Sequence, residues 1–228
     1  MTNIGTPRFQ QYFDLLTEEV SSHFPFPYIL FCGSFLGFDE LSALKIIDQA
    51  IEKDHDEWKD TKVIYRPHPW RTPRECDDVF IQSDYNNTIL DPQLESAYYS
   101  NQSNEFQPSL EYYPALLKNA KFVVGPLTTM LIEALICGTQ VLAFKYDDGV
   151  HYSSPHNAYR YNLHFKGIDA IKGLEFCDDQ DDLKESLIKM EHLDKISKEQ
   201  IHMTLKYFIY NDKINYNQRL KLLVDKLA

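Results

Sequence analysis

The chain has 228 residues, with 23 Lys+Arg against 34 Asp+Glu and a formal net charge of −11. That length suits one large domain or two small ones, and a hydrophobic share of 43% with 14% aromatics is enough to build a core, which excludes wholesale disorder. An acidic chain repels phosphate backbones, so a general nucleic-acid binder is excluded as well, while local basic pockets are not. The four cysteines, Cys32, Cys76, Cys137 and Cys177, form no C-x-x-C pair. Cys32 and Cys137 sit in apolar runs and read as small core residues, not as a zinc or disulfide framework. No apolar signal core follows Met1, and no run approaches the roughly 20 apolar residues of a membrane span. The expectation is a cytoplasmic protein in which the sequons at Asn86 and Asn101 carry no meaning.

In chain order, residues 1–27, with Pro7, Pro25 and Pro27, read as a lead-in segment. Tyr28–Ser34 is a short continuous apolar run and predicts a buried strand. Leu41, Leu44, Ile47 and Ile51 recur at helical spacing behind Asp39, a good N-cap, and predict a helix over 39–53. Lys62–Tyr65 predicts a second strand, stopped by Pro67 and Pro69. Asn87–Leu90 predicts a weaker third strand, and the polar stretch Ser96–Gln107 reads as a surface loop. Ser109–Asn119 looks helical, with Pro114 tolerated near its first turn. Lys121–Val124 predicts a fourth strand ending at Gly125-Pro126, Thr128–Cys137 a helix closed by Gly138, and Gln140–Phe144 a fifth strand. After about residue 178 only helical patterns remain, over 181–191, 198–210 and 213–227. Strands alternating with helices imply a parallel sheet with right-handed crossovers. The expectation is an α/β fold: a single doubly wound, Rossmann-like domain over 28–178, with C-terminal helices over 179–228 packed on it.

In open parallel sheets, ligands bind beyond the carboxyl ends of the strands. That rule selects the loops 33–37, 66–71, 91–93, 125–129 and 145–154. Arg66-Pro67-His68-Pro69-Trp70-Arg71 is held stiff by two prolines and presents an imidazole between two guanidinium groups, which suits an anionic ligand. It also reads as a proline-rich turn whose arginines pair with carboxylates such as Asp77 and Asp78. Gly125-Pro126-Leu127-Thr128-Thr129 leads from a strand into a helix whose first amides could hold phosphate, aided by the threonine hydroxyls. Taken alone, Thr128 reads as an N-cap. Glu133, one turn on, could accept from ribose hydroxyls or be a solvated helix carboxylate. Gly33-Ser34 allows close approach of a ligand or simply turns the chain. Asp147-Asp148-Gly149 could bind Mg²⁺ but reads as a turn. His151, Ser153, Ser154, His156 and His164 follow as candidate ligand contacts, with a spacing that fits no zinc motif. No P-loop is present.

Taken in order, Ile4–Phe9 (IGTPRF), Arg66–Pro69 (RPHP) and Gly125–Gly138 (GPLTTMLIEALICG) resemble the C-terminal, nucleotide-binding half of a GT-B glycosyltransferase. The likeness is to bacterial capsule and surface-polysaccharide transferases: sialyltransferase-like, Kdo-transferase-like and CDP-glycerol glycerophosphotransferase-like enzymes. It covers roughly residues 4–170. The resemblance implies that His68 and Pro69 meet the nucleotide phosphate, that Thr128 and Thr129 also hold it, and that Glu133 meets the ribose. With Arg66, Arg71, Gly33, Ser34 and Gly125 these complete the candidate nucleotide site, and His68 is the candidate catalytic residue. No metal or other cofactor is expected. The implied partners are a CMP- or CDP-linked sugar or alcohol donor and a polysaccharide or lipid-linked acceptor, met in the cytoplasm or at the inner face of the membrane. A GT-B enzyme has a second such domain that usually supplies the catalytic base, and this length holds one. The chain is therefore expected to be a truncated product, an excised domain, or one subunit of a split enzyme whose partner supplies the second domain. A non-catalytic nucleotide-binding or regulatory module is the alternative, and a receiver-like or flavodoxin-like domain ranks last, since Gly33-Ser34-Phe35 stands where its acidic cluster would follow the first strand.

Overall fold

Short apolar runs carrying side chains suited to both faces of a sheet become central parallel strands, because only burial on both sides satisfies them. The computed structural model describes residues 7–9, 12–13, 20–54, 56–69, 79–100, 109, 111–206, 208–209 and 214–227. Its strands are β1 (Tyr28–Cys32), β2 (Lys62–Arg66), β3 (Thr88–Leu90), β4 (Val123–Pro126), β5 (Val141–Phe144) and β6 (Leu174–Cys177). They form one six-stranded sheet in the order β3-β2-β1-β4-β5-β6, every pair parallel. The fold is Rossmann-like α/β, as expected, with a helical C-terminal tail. β6 was not expected. Glu175 and Phe176 are only half-buried on this edge strand, so its run lacks the continuous apolar signal of the inner strands.

The strands alternate faces with period two. Leu30, Cys32, Ile64, Val123, Val141 and Ala143 enter one core. Ile29, Phe31, Val63, Tyr65, Val124, Leu142 and Phe144 enter the other. Helix α1 (Glu40–Lys53) covers the second core with Ala43, Leu44, Ile47 and Ile51, and Asp39 caps it by accepting from the Ser42 N–H at 3.1 Å. Helix α2 (Pro92–Ser100) occupies the first part of the segment expected to be a loop. Asp91 precedes it, accepting from the Gln93 N–H at 3.0 Å, and Leu94 and Tyr98 are buried at helical spacing within a sequence otherwise rich in polar residues. Residues 101–108 lie outside the described set.

Helix α3 (Tyr112–Lys118) and α4 (Thr129–Ile136) pack on the first core through Leu116, Leu117, Leu131, Ala134 and Leu135. Helix α5 (Pro155–Tyr161) adds Ala158 to that core. Helix α6 (Leu183–His192) returns to the second core through Leu187 and Met190, and α7 (Lys198–Leu205), which opens with a capping box at Ser197 and Gln200, brings Ile201 to the first. Helix α8 (Tyr216–Leu227) closes the chain. Among the described residues no helix is long and apolar enough to cross a membrane.

Cys32, Cys137 and Cys177 are buried and unpaired. Burial is the largest influence on each thiol and pushes it up, Cys137 to about 12 with Glu133 adding to the rise, so these are packing residues and not nucleophiles. Cys76 lies outside the described residues.

The central joint of the sheet is tight. Gly125 adopts φ +150°, and a Cβ there would lie 2.3 Å from the Cys32 carbonyl oxygen. Gly125→Ala is expected to cost at least about 3 kcal/mol, combining overpacking with backbone strain; urea unfolding measures it, and wild-type stability would mean that β1 and β4 can separate.

Candidate functional site

The strand order places a break in winding between β1 and β4. After β1 the chain turns to α1 on one face; after β4 it turns to α4 on the other. The loops therefore diverge and leave a crevice beyond the carboxyl ends of β1 and β4, where ligands of such sheets bind.

One wall is the loop after β1. The Gly33 N–H donates to the Arg66 carbonyl at 2.8 Å, continuing the ladder one residue past the strand. A Cβ on Gly33 would come within 2.5 Å of Glu40 Oε2, so glycine permits the next contact: the Ser34 N–H donates to Glu40 Oε1 at 2.9 Å. Glu40 is 4% exposed and its other oxygen accepts from the Tyr65 hydroxyl at 2.8 Å. The Ser34 hydroxyl donates to the Leu36 carbonyl at 2.9 Å. Phe35 projects into solvent, 60% exposed, and meets the half-buried ring of His68 edge-on at 5.5 Å.

The floor lies on the opposite face of the sheet. Arg66 is 1% exposed. Its guanidinium donates to Asp91 Oδ2 and, at 3.1 Å, to Gln93 Oε1, and lies 4.8 Å from the centre of the Tyr113 ring. Asp91 Oδ1 accepts from the Tyr112 hydroxyl at 2.7 Å. Tyr113 donates to Glu133 Oε2 at 3.0 Å. Burial first, then the carboxylates of Asp91 and Glu133 respectively, push both phenols up, so both remain protonated donors.

The second wall is the start of α4. Thr128, at the N-cap in extended conformation, makes no capping bond with its side chain, and Thr128 and Thr129 are both half-exposed. The first-turn amides, which have no partner within the helix, and the two threonines thus lie at its crevice end.

The loop after β5 is tied to the first wall. Gly37 N–H donates to Ser153 Oγ at 3.1 Å and Asp39 N–H to Asp148 Oδ2 at 2.9 Å, tying it to the loop after β1. Asp148, with its side chain 1% exposed, also accepts from the backbone N–H groups of Val150 and His151 at 3.0 and 2.8 Å, and its Oδ2 lies 2.7 Å from His151 Nδ1. Burial, the largest single influence, pushes this carboxyl up, but the bonds from His151, Val150 and Asp39 together overcome it and hold it below the usual carboxylate value. Two buried hydroxyls of this loop, Tyr146 OH and Ser154 Oγ, have no hydrogen-bond partner among the described residues.

Of the sequence candidates, Gly33, Ser34, His68, Pro69, Gly125, Thr128 and Thr129 gather at one edge. Arg66 and Glu133 point inward and are bonded there. Arg71, with Trp70, Asp77 and Asp78, lies outside the described residues, as does the side chain of His164. Asp147-Asp148-Gly149 is a turn, with Asp147 accepting from the Gly149 N–H at 2.9 Å. Glu40, Asp91, Tyr112 and Tyr113 were not singled out. The signal available for Asp91 was its place directly after β3, on the edge where ligands bind. A separate 470 Å³ pocket at the amino ends of β1 and β2, lined by Phe26, Ile51, Trp58 and Lys62 among others, contains none of these groups.

No family model matches the chain, and no curated protein matches it. Solved structures do. A protein assigned as a UDP-N-acetylglucosamine 2-epimerase from Listeria monocytogenes aligns over 98% of this chain and 53% of its own, at 13% identity and a TM-score of 0.50. The UDP-GlcNAc 2-epimerase of Methanocaldococcus jannaschii, solved with UDP-GlcNAc and UDP, aligns over 98% and 54% at 11% identity and TM-score 0.47. A family 9 glycosyl transferase from Veillonella parvula aligns over 88% and 50% at a TM-score of 0.30 and 11% identity. The chain spans about half the length of each of these. At 13% identity the likeness to the Listeria protein establishes the fold alone: a Rossmann-like sheet of the kind that forms one half of a GT-B fold.

Two substitutions test the floor and the wall. Asp91→Asn leaves Arg66 buried without its counter-charge and is expected to destabilise the chain by about 3–5 kcal/mol, measured by urea unfolding. Asp148→Asn removes a carboxylate whose value is depressed in the fold. Its stabilisation is present above the ordinary carboxylate value and is lost as pH falls through the depressed one. Wild-type and variant stabilities are therefore expected to differ at neutral pH and to converge in acid; a difference independent of pH would contradict this origin.

Proposed function

We propose that the chain is the donor-binding domain of a glycosyl- or glycerophosphotransferase of bacterial surface-polysaccharide synthesis, acting in the cytoplasm or at the inner membrane face, and that the crevice takes a nucleotide-activated donor. The observation that carries this is the α4 N-terminus, with the Thr128 hydroxyl unused as a cap, opening into the crevice between β1 and β4. A nucleotide phosphate there gains amide and hydroxyl hydrogen bonds and the favourable end of the helix dipole. His68 and Pro69 are proposed to line the same edge beside Phe35, and Gly33 and Gly125 let the strand ends that bound it pack closely against Glu40 and Cys32. Arg66 and Glu133 act from behind as positioning residues: the first holds Asp91 and the second Tyr113. Arg71 is proposed as a further phosphate contact on the sequence alone. The domain spans 28–178, with 1–27 leading in and 179–228 closing it.

As the donor is cleaved, negative charge grows on the departing phosphate, and fixed amide, hydroxyl and imidazole donors offset it. His68 can also give that phosphate a proton, since imidazole titrates near neutrality. The base is proposed to be cytosine, on the resemblance to CMP- and CDP-dependent enzymes. The acceptor is proposed to be a polysaccharide or lipid-linked sugar.

Calorimetry with CMP, CDP and UDP tests the site. Cytidine nucleotides are expected to bind more tightly than UDP. His68→Ala is expected to weaken binding roughly ten- to a hundredfold, the loss of one charge-assisted hydrogen bond of about 1.5–3 kcal/mol. Thr128→Val should weaken it less, and absence of any nucleotide binding sinks the assignment. Donor binding without turnover would support the alternative of a non-catalytic nucleotide-binding module.

A further inference from the structure

We infer that Asp148 and His151 form an oriented carboxylate–imidazole dyad that serves as the proton acceptor for the attacking hydroxyl, so that this chain carries a base of its own. The inference rests on the donor-site reading above, and its test separates the two.

The Asp148 side chain is 1% exposed and fixed by three backbone N–H groups from two elements: Val150 and His151 of its own loop, and Asp39 at the start of α1. A carboxylate so saturated cannot rotate. Its contact with His151 Nδ1 therefore places the imidazole proton on Nδ1 and leaves the Nε2 lone pair outward in the neutral ring. The ring is seated against Gly37, where a Cβ would lie 2.6 Å from His151 Cδ2, and is 35% exposed. Gly37 ends the same loop whose Phe35 meets His68. Two imidazoles thus meet the loop after β1, His68 at Phe35 and His151 at Gly37. On the same loop as His151 the buried hydroxyls of Tyr146 and Ser154 have no hydrogen-bond partner among the described residues and are available to a bound group.

In the step, the acceptor hydroxyl gives its proton to His151 Nε2 as its oxygen bonds to the transferred carbon or phosphorus of the donor. The bond from that atom to the nucleotide phosphate oxygen breaks, and its electron pair leaves with the nucleotide, held by the α4 amides and His68. Asp148 acts as a positioning residue, keeping the tautomer and stabilising the imidazolium.

The test uses the purified full chain with water as acceptor, following release of free nucleotide from a CMP-linked sugar, CDP-glycerol and a UDP-linked sugar. Nucleotide affinity is measured in parallel by calorimetry. His151→Gln is expected to lower the rate by about 10²–10⁴-fold while nucleotide Kd changes less than twofold. Added imidazole should restore part of the rate to His151→Ala, which a purely structural role would not allow. Nitrogen-15 NMR of neutral His151 should show protonated Nδ1 and bare Nε2, with Asp148→Asn disturbing that tautomer. Nucleotide binding without donor hydrolysis, an unchanged rate in His151→Gln, or a neutral ring protonated at Nε2 would each overturn the dyad while leaving the donor site standing. Absence of nucleotide binding would overturn the site itself, and the dyad with it.

Discussion

The buried pair between Arg66 and Asp91 joins more of this molecule than any other contact described. Arg66 ends β2, and its carbonyl receives the Gly33 N–H beyond β1. Its guanidinium holds Asp91 at the end of β3, which opens α2 and receives Tyr112 from α3. The flat face of the same guanidinium lies against Tyr113, which reaches Glu133 in α4. Five elements around the crevice are thus referred to one cation. Burying two ions is expensive, and an apolar substitute of equal volume is often as stable. What such a substitute lacks is direction: five guanidinium N–H groups in a fixed plane can bond Asp91 and Gln93 at set angles and leave a face for the ring.

The opposite face uses an equivalent device with one charge. Glu40 opens α1, yet is buried, because its two oxygens are divided between the Ser34 amide and the Tyr65 hydroxyl. Asp48 further along α1 does the same at the other end of the sheet, accepting from the backbone of Asn86 and Asn87 and the hydroxyl of Thr88. Within a chain of net charge −11, a few carboxylates, Glu40, Asp48 and Asp91 among them, are therefore internal acceptors that fix where loops join strands.

The parts of the fold that depend on local pattern were legible in the sequence. Apolar runs marked β1, β2, β4 and β5, and helical spacing with a capping aspartate marked α1. β6 was hidden because an edge strand with half-exposed Glu175 and Phe176 lacks that pattern, and α2 because its two buried residues are too few to outweigh polar neighbours. The edge that carries the candidate site followed from topology alone, and His68, Thr128 and Thr129 fall on it. The inward roles of Arg66 and Glu133 were not legible. Arg66 and Asp91 are 25 residues apart and meet only through the β2–β3 register. The tie between Asp39 and Asp148 spans 109 residues, and no local periodicity encodes it.

The contact between Gly125 and the Cys32 carbonyl has a mechanical consequence. With no clearance for even a methyl group, the floor where β1 and β4 meet cannot yield when something enters above it. Accommodation must come from the rims. The loops after β1 and β5 are laced together at Gly37–Ser153 and Asp39–Asp148, so moving one away from the other costs these bonds. A stiff base under a coupled rim makes the cleft behave as a calliper: the spacing between its jaws, and not the shape of its bed, adjusts to the guest.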